Sequence, residues 1–353
     1  MLQDAVPLGE LGRALLVKLR HHGDVLLAAP ALGALKSAAP RLEIDALVYD
    51  DTAPMLDGHP ALSRIHVVGR KWKDGGALSR ISNETRLFGN LRRRNFDLIV
   101  HLSGQPRGAW LARALGARYS VAPAIGDRGD FWERSFTHLY PLPKNGRRHQ
   151  VELNLDALRR IGVQPSAQDR RVVFVPGGEA EKKIESFVEP RSYIHVHPAS
   201  RWKFKCWPAE RNAELVDRLS SRFKVVLTAA PEAAELSMIE KIVSMAKSKP
   251  VNLAGKLSIK ELGALAARAR LFVGVDSMPM HLAGAMGTPT VALFGPSGEH
   301  EWGPWQVAHR VVASAHPCRP CGNDGCGGSK VSECLTTLEV DRVHAACEEL
   351  LRG

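Results

Sequence analysis

The chain has 353 residues, more than one hydrophobic core usually supports, so two domains are expected. Charged residues at 24% and hydrophobic ones at 44% are ordinary for a globular protein, and no apolar run approaches the roughly 18 residues of a membrane-spanning helix. Lys and Arg outnumber Asp and Glu by 48 to 37, a net +11, which favours a partner rich in negative charge: nucleic acid, an acidic membrane surface or an anionic substrate.

Ala14–Leu19 reads as the first buried strand, followed at once by Arg20-His21-His22-Gly23-Asp24. Val25–Ala38 has a helical pattern, with Pro30 disturbing an early turn and Pro40 ending it. Asp24 therefore stands where a strand ends and a helix opens. A carboxylate so placed can face a ligand as a general base, or serve only as a first-turn acid favoured by the helix dipole. Ile44–Tyr49, Ile65–Val68 and Phe96–Leu102 are further strands, the last preceded by the basic helical segment Leu91–Arg94. Between them Arg70, Lys71 and Lys73 cluster around Trp72, and Arg80 and Arg92–Arg94 follow. Such runs are usually solvated faces; the sharper reading is a site for an anionic acceptor.

Pro141–His149 is dense in glycine, proline and basic residues, and Val151–Ile161 is helical. The link between domains is expected within Gln164–Pro190. The second half restarts with the strand Tyr193–Val196, then the loop His197-Pro198-Ala199-Ser200-Arg201-Trp202-Lys203-Phe204-Lys205-Cys206-Trp207-Pro208 and the helix Ala209–Leu219. One hydroxyl, three cations and two indoles suit a diphosphate, with Ser200 donating a hydrogen bond and Lys205 supplying charge. The plainer reading is a surface turn whose tryptophans pack on the core. Lys224–Leu227 is the next strand, and Ser258–Ala269 is a helix.

Leu271–Ser297 is the most regular stretch: strand Leu271–Val275, then Asp276-Ser277, a helix to Met286 stopped by Gly287, and strand Thr290–Phe294. Asp276 and Ser277 at a strand's carboxyl end either cap the helix or face a ligand whose phosphate the free N–H groups favour. Strands alternating with helices predict an α/β chain with doubly wound parallel sheets.

Four of the six cysteines, Cys318, Cys321, Cys326 and Cys334, lie close together. Their CxxC and flanking glycines suit either a structural zinc or free thiols. No signal-peptide core precedes the first strand, so a cytoplasmic chain with reduced thiols is expected. Neither a recognition helix nor an aromatic RNA-binding signature is present, so no nucleic-acid partner is expected.

Together, HHGDVLLAAPALGALK, RWKFKCWP and LFVGVDSMPMHLAGAMGTPTVALFG resemble glycosyltransferase family 9, the lipopolysaccharide heptosyltransferases, and look closest to its heptosyltransferase III members. The resemblance implies a GT-B architecture, two Rossmann-like domains facing across a cleft. Residues 1–175 would bind the lipid A-core acceptor and residues 176–353 ADP-heptose, the last helix being a candidate to pack back on the N-terminal domain. It further implies an inverting transfer with no required cofactor, at the cytoplasmic face of the inner membrane with peripheral contact. Asp24 matches the family's general base. Ser200, Lys205, Asp276, Ser277 and His281 fall on the donor side, with Asp276 holding sugar hydroxyls or orienting Lys205. Arg20, His22, Lys71 and Lys73 fall on the acceptor side.

The chain departs from the family's pattern twice. Ala199-Ser200 leaves one hydroxyl where the family often has two, and Met278 stands where many members have glycine. Three alternatives stay open: a transferase for another nucleotide sugar, a nucleotide-sugar epimerase, or a basic polyanion-binding protein without turnover.

Overall fold

A computed structural model describes residues 4–143 and 148–352, so part of the Pro141–His149 stretch lies outside the described residues. The chain divides into two compact units, Met1–Val175 and Pro176–Gly353.

In the first unit the strands are β1 (Arg13–Val17), β2 (Glu43–Tyr49), β3 (Arg64–Val68), β4 (Leu98–His101), β5 (Tyr119–Ala124) and β6 (His138–Pro141). The helices are α1 (His22–Leu26), α2 (Ala29–Ala38), α3 (Ala77–Arg94), α4 (Pro106–Leu115), α5 (Gly129–Glu133) and α6 (Gln150–Arg160). The sheet runs β3-β2-β1-β4-β5-β6 with parallel neighbours throughout, so β1 pairs with both β2 and β4. Helices cover both faces of such a sheet, which is why Ala14–Val17 and Leu98–His101 are buried at every position rather than alternating.

Pro30 breaks the expected single helix into α1 and α2. It lacks the N–H that would bond back to Leu26, and its ring crowds that carbonyl; it is accommodated in the first turn of α2 instead.

In the second unit the strands are β7 (Tyr193–His197), β8 (Lys224–Leu227), β9 (Val251–Asn252), β10 (Leu271–Val275), β11 (Thr290–Leu293) and β12 (His309–Val312). The helices are α7 (Gly178–Glu185), α8 (Ala209–Ser220), α9 (Ala233–Met245), α10 (Ile259–Arg268), α11 (Met278–Ala285), α12 (Glu299–Trp302), α13 (Glu333–Thr336) and α14 (Val340–Arg352). Its sheet order, β9-β8-β7-β10-β11-β12, repeats that of the first unit, again all parallel.

Ser258 and Glu261 form a reciprocal capping box on α10, worth about 1 kcal/mol. The last helix, α14, is amphipathic. Its apolar face, Val343, Cys347 and Leu351, is buried in its own unit's core with Val273, Val291 and Val312.

In both units the order reverses at the first strand, between β1 and β4 and between β7 and β10. Connections leave these strands on opposite faces, so the loops at their carboxyl ends diverge and open a crevice. The loops after β1, β7 and β10 carry Asp24, Ser200 with Lys205, and Asp276 with Ser277.

Candidate active site

In the second unit the crevice between β7 and β10 is spanned by an ion pair: Lys205 Nζ lies 2.6 Å from Asp276 Oδ2. Asp276 is 5% exposed and Lys205 22%, so the pair is shielded yet its amine still reaches solvent. Glu301 of α12 stands near enough to Asp276 that burial, and then that second negative charge, raise its carboxyl pKa.

Ser200 Oγ accepts the Trp202 N–H at 3.2 Å, which fixes the hydroxyl and leaves its proton free to donate. The loop is held from behind. Phe204 O accepts Ser332 Oγ at 2.6 Å, Trp207 Nε1 donates to Leu338 O at 2.9 Å, and Cys206 Sγ sits 3.7 Å from Ser200 O. The two tryptophans of this loop divide the two readings: Trp207 is buried in the core, whereas Trp202 is 45% exposed.

Ser277 occupies the N-cap position of α11 without capping it; its hydroxyl turns back to Val275 O at 3.3 Å. Pro279 has no N–H, and the amides of Ser277 and Met278 donate to no acceptor among the described residues. An open helix N-terminus therefore adjoins the Lys205–Asp276 pair, the arrangement that attracts phosphate. His281, one turn on, is buried with its ring 6.3 Å from that of Trp302, as a packed helix histidine would be.

Below the loop, Thr228 Oγ1 bridges His195 Nε2 at 2.7 Å and His197 Nδ1 at 2.8 Å. One hydroxyl can donate to one ring and accept from the other, and burial depresses both imidazoles, His197 to about 3. Gly274 of β10 passes so close to β7 that a Cβ there would meet His197 O at 2.9 Å. A cavity of about 500 Å³ beside Ser200 is lined by Cys206, Trp207, Glu235 and Lys330 among others. Burial pushes the Glu235 carboxyl up against the opposing bond from the Ala230 amide at 3.0 Å.

In the first unit Asp24 lies in the first turn of α1, its carboxylate 13% exposed and 3.4 Å from Arg20 Nε. Below it Lys18, 2% exposed, donates to Leu102 O at 2.8 Å and Asn154 Oδ1 at 3.0 Å, and Asn154 Nδ2 donates to Leu27 O at 2.9 Å. This chain of bonds ties the ends of β1 and β4 to α6 and to the break between α1 and α2. Burial lowers the Lys18 pKa to about 8, with the Asp24 charge opposing the shift.

Arg70 donates to Arg20 O at 3.0 Å, pairs with Asp51 Oδ2 at 2.6 Å and stacks 4.0 Å above the Tyr49 ring. It thereby fastens the turn Arg70–Lys73 to the loop that carries Asp24. His22 Nε2 lies 2.9 Å from Asp51 O. Lys71 is exposed, and the Lys73 side chain lies outside the described residues.

Composition and pattern gave no signal for Lys18, Asn154 and Glu301 as parts of these sites, and marked Arg70 only as one of a basic cluster. Each acts through a partner distant in sequence.

Cys318, Cys321, Cys326 and Cys334 fall in one region. Burial comes first in raising the Cys318 and Cys334 pKa values, and the neighbouring thiols raise both further. Among the described residues no three His, Cys, Asp or Glu side chains are arranged to hold a metal ion.

The sequence profile of glycosyltransferase family 9 (heptosyltransferase) matches residues 84–331. The chain is 35% identical over 292 residues to lipopolysaccharide heptosyltransferase 3 of Escherichia coli strain K12, covering 81% of this chain and 83% of that one. It is 27% identical over 356 residues to lipopolysaccharide heptosyltransferase 1 of Pseudomonas aeruginosa, covering 96% and 98%. Among solved structures it resembles a family 9 glycosyltransferase from Veillonella parvula, with a TM-score of 0.84, 23% identity and 99% of both chains covered.

Proposed function

Because the chain belongs to glycosyltransferase family 9, we propose that it moves a heptose from ADP-heptose to a hydroxyl of the lipopolysaccharide inner core, inverting the anomeric centre. The second unit takes the nucleotide sugar and the first takes the lipid-linked acceptor, which brings the enzyme into peripheral contact with the inner membrane at its cytoplasmic face. The 35% identity to a lipopolysaccharide heptosyltransferase over most of both chains favours transfer over epimerisation or plain polyanion binding.

The observation that carries the reading is the Lys205–Asp276 pair beside the Ser200 hydroxyl and the open end of α11. Asp24 accepts the proton of the acceptor hydroxyl as its oxygen attacks the anomeric carbon. The bond from that carbon to the diphosphate breaks, and ADP leaves with one more negative charge. Lys205, the Ser200 hydroxyl and the amides at Ser277 and Met278 receive that charge. Asp276 is an acceptor only and repels phosphate, so its work is to aim Lys205 and to hold a sugar hydroxyl. Arg20, His22, Lys71 and Lys73 supply positive charge and hydrogen bonds for the phosphorylated core. In this reading protein cations and dipoles stabilise the leaving group, so no cofactor is required.

Incubation with ADP-heptose and a truncated core lipid, in the presence of a chelator, tests it by product mass. One added heptose per acceptor is expected; ADP-heptose consumed without a heavier lipid would refute it.

A further inference from the structure

In the first unit, α3 is anchored by Leu87 and Leu91, both buried in the core, yet it carries further apolar side chains outside that face. Leu78 is 85% exposed and Ile81 58%, with Phe88 following at helical spacing. Beside them α4 presents Trp110, 63% exposed, whose ring centroid lies 4.6 Å from that of the exposed Phe131. Between α3 and α4 runs a groove of about 590 Å³ walled by Phe88, Trp110 and Leu111. From Ala77 to Leu115 the chain carries seven arginines against two acids, a net +5, and Arg80, Arg86 and Arg92 take part in no ion pair among the described residues.

We propose that the face formed by α3 and α4 docks on an anionic lipid bilayer, with Ile81 and Trp110 entering the headgroup boundary and the arginines meeting the phosphates. The occupant follows from two chemistries found side by side. A nucleic acid or a soluble polyanion would satisfy the arginines but leave the indole and the aliphatic stripe in water. A second copy on the same face would set the unpaired arginines Arg80, Arg86 and Arg92 against their own like charge, since a two-fold interface pairs each patch with itself. A membrane surface supplies both negative charge and an apolar boundary. The proposal rests on the reading above only in that a lipid-linked acceptor is reached at such a surface.

The test is flotation of the full chain with phosphatidylcholine vesicles, with and without phosphatidylglycerol, alongside transfer to a deacylated, water-soluble acceptor. Binding to the anionic vesicles is expected, weakening with salt and falling about tenfold or more in the double variant Ile81→Ser, Trp110→Ser. That variant should keep wild-type thermal stability and wild-type transfer to the soluble acceptor. The proposal is overturned if the wild type does not float, if the variant floats equally well, or if the variant instead loses a dimer seen by sedimentation. Vesicle binding that responds as expected in a protein unable to transfer heptose would sink the enzymatic reading and leave this surface standing.

Discussion

Lys205 Nζ and Asp276 Oδ2, 71 residues apart in the chain, stand 2.6 Å from each other because β7 and β10 are neighbours at the point where the sheet order reverses. The pair acts as one device: the carboxylate fixes where the cation points, and the cation offsets the charge of an acid kept from water. Lys205→Ala should cut kcat by about 10²–10³-fold, the range for losing one charge-stabilising group. Asp276→Asn should cost less. The double variant should lose less than the product of the two, since groups sharing one interaction are non-additive. Rates that multiply independently would show the pair is not a unit.

Asp24 pairs with Arg20, and the Lys18–Asn154 chain braces the end of α1 at Leu27. Asp24→Asn keeps the shape and removes the proton acceptor, so kcat should fall by about 10²–10⁴-fold. Calorimetry should find ADP affinity unchanged, because the nucleotide site proposed above lies in the other unit. Substantial turnover by the variant would take the base role away from Asp24.

Lys18 sets a pH dependence of stability. Its amine holds a proton up to about 8 in the folded chain and up to about 10.5 when unfolded. Between those values the unfolded chain binds more protons, so the contribution from Lys18 rises with pH, in full on the order of 3 kcal/mol. Urea midpoints at pH 7.5 and 9.5 should therefore rise more in the wild type than in Lys18→Met. An identical rise in both would mean Lys18 is not buried as described.

The histidines act at the other end of the scale. Burial holds His59 near 4 and His101 and His197 near 3, while unfolded histidines protonate near 6.5. The unfolded chain then takes up more protons as pH falls through 6.5, and stability is lost toward pH 4. His197→Gln, whose amide can still reach Thr228, should flatten that loss between pH 7 and 5. A slope unaltered by the substitution would point to other groups.

Where hydrophobic runs are continuous and sharply bounded, the chain is readable directly. Leu271–Val275 and Lys224–Leu227 match their expected ends, and the helix expected to run to Met286 ends one residue earlier, at Ala285. β5 and β6 were not legible, because Tyr119–Ala124 mixes Ser120 and Pro123 into six residues and is a strand only by pairing with β4 and β6. The α1–α2 break needed the local geometry of Pro30, and α7 sits in a stretch too polar to announce a helix. Among site residues, those in loops at strand ends were visible because polar residues there break an apolar pattern. Lys18 was not: a lysine closing an apolar run looks like a solvated end. Only the adjacency of β1, β4 and α6 makes it a buried donor.

Nucleotide affinity of Lys205→Ala, measured by calorimetry with ADP and with adenosine, tests the central claim most directly. If Lys205 holds the donor's diphosphate, ADP should bind at least about tenfold more weakly than to the wild type, with adenosine unaffected. Equal loss for both ligands, or no loss for ADP, would contradict the account.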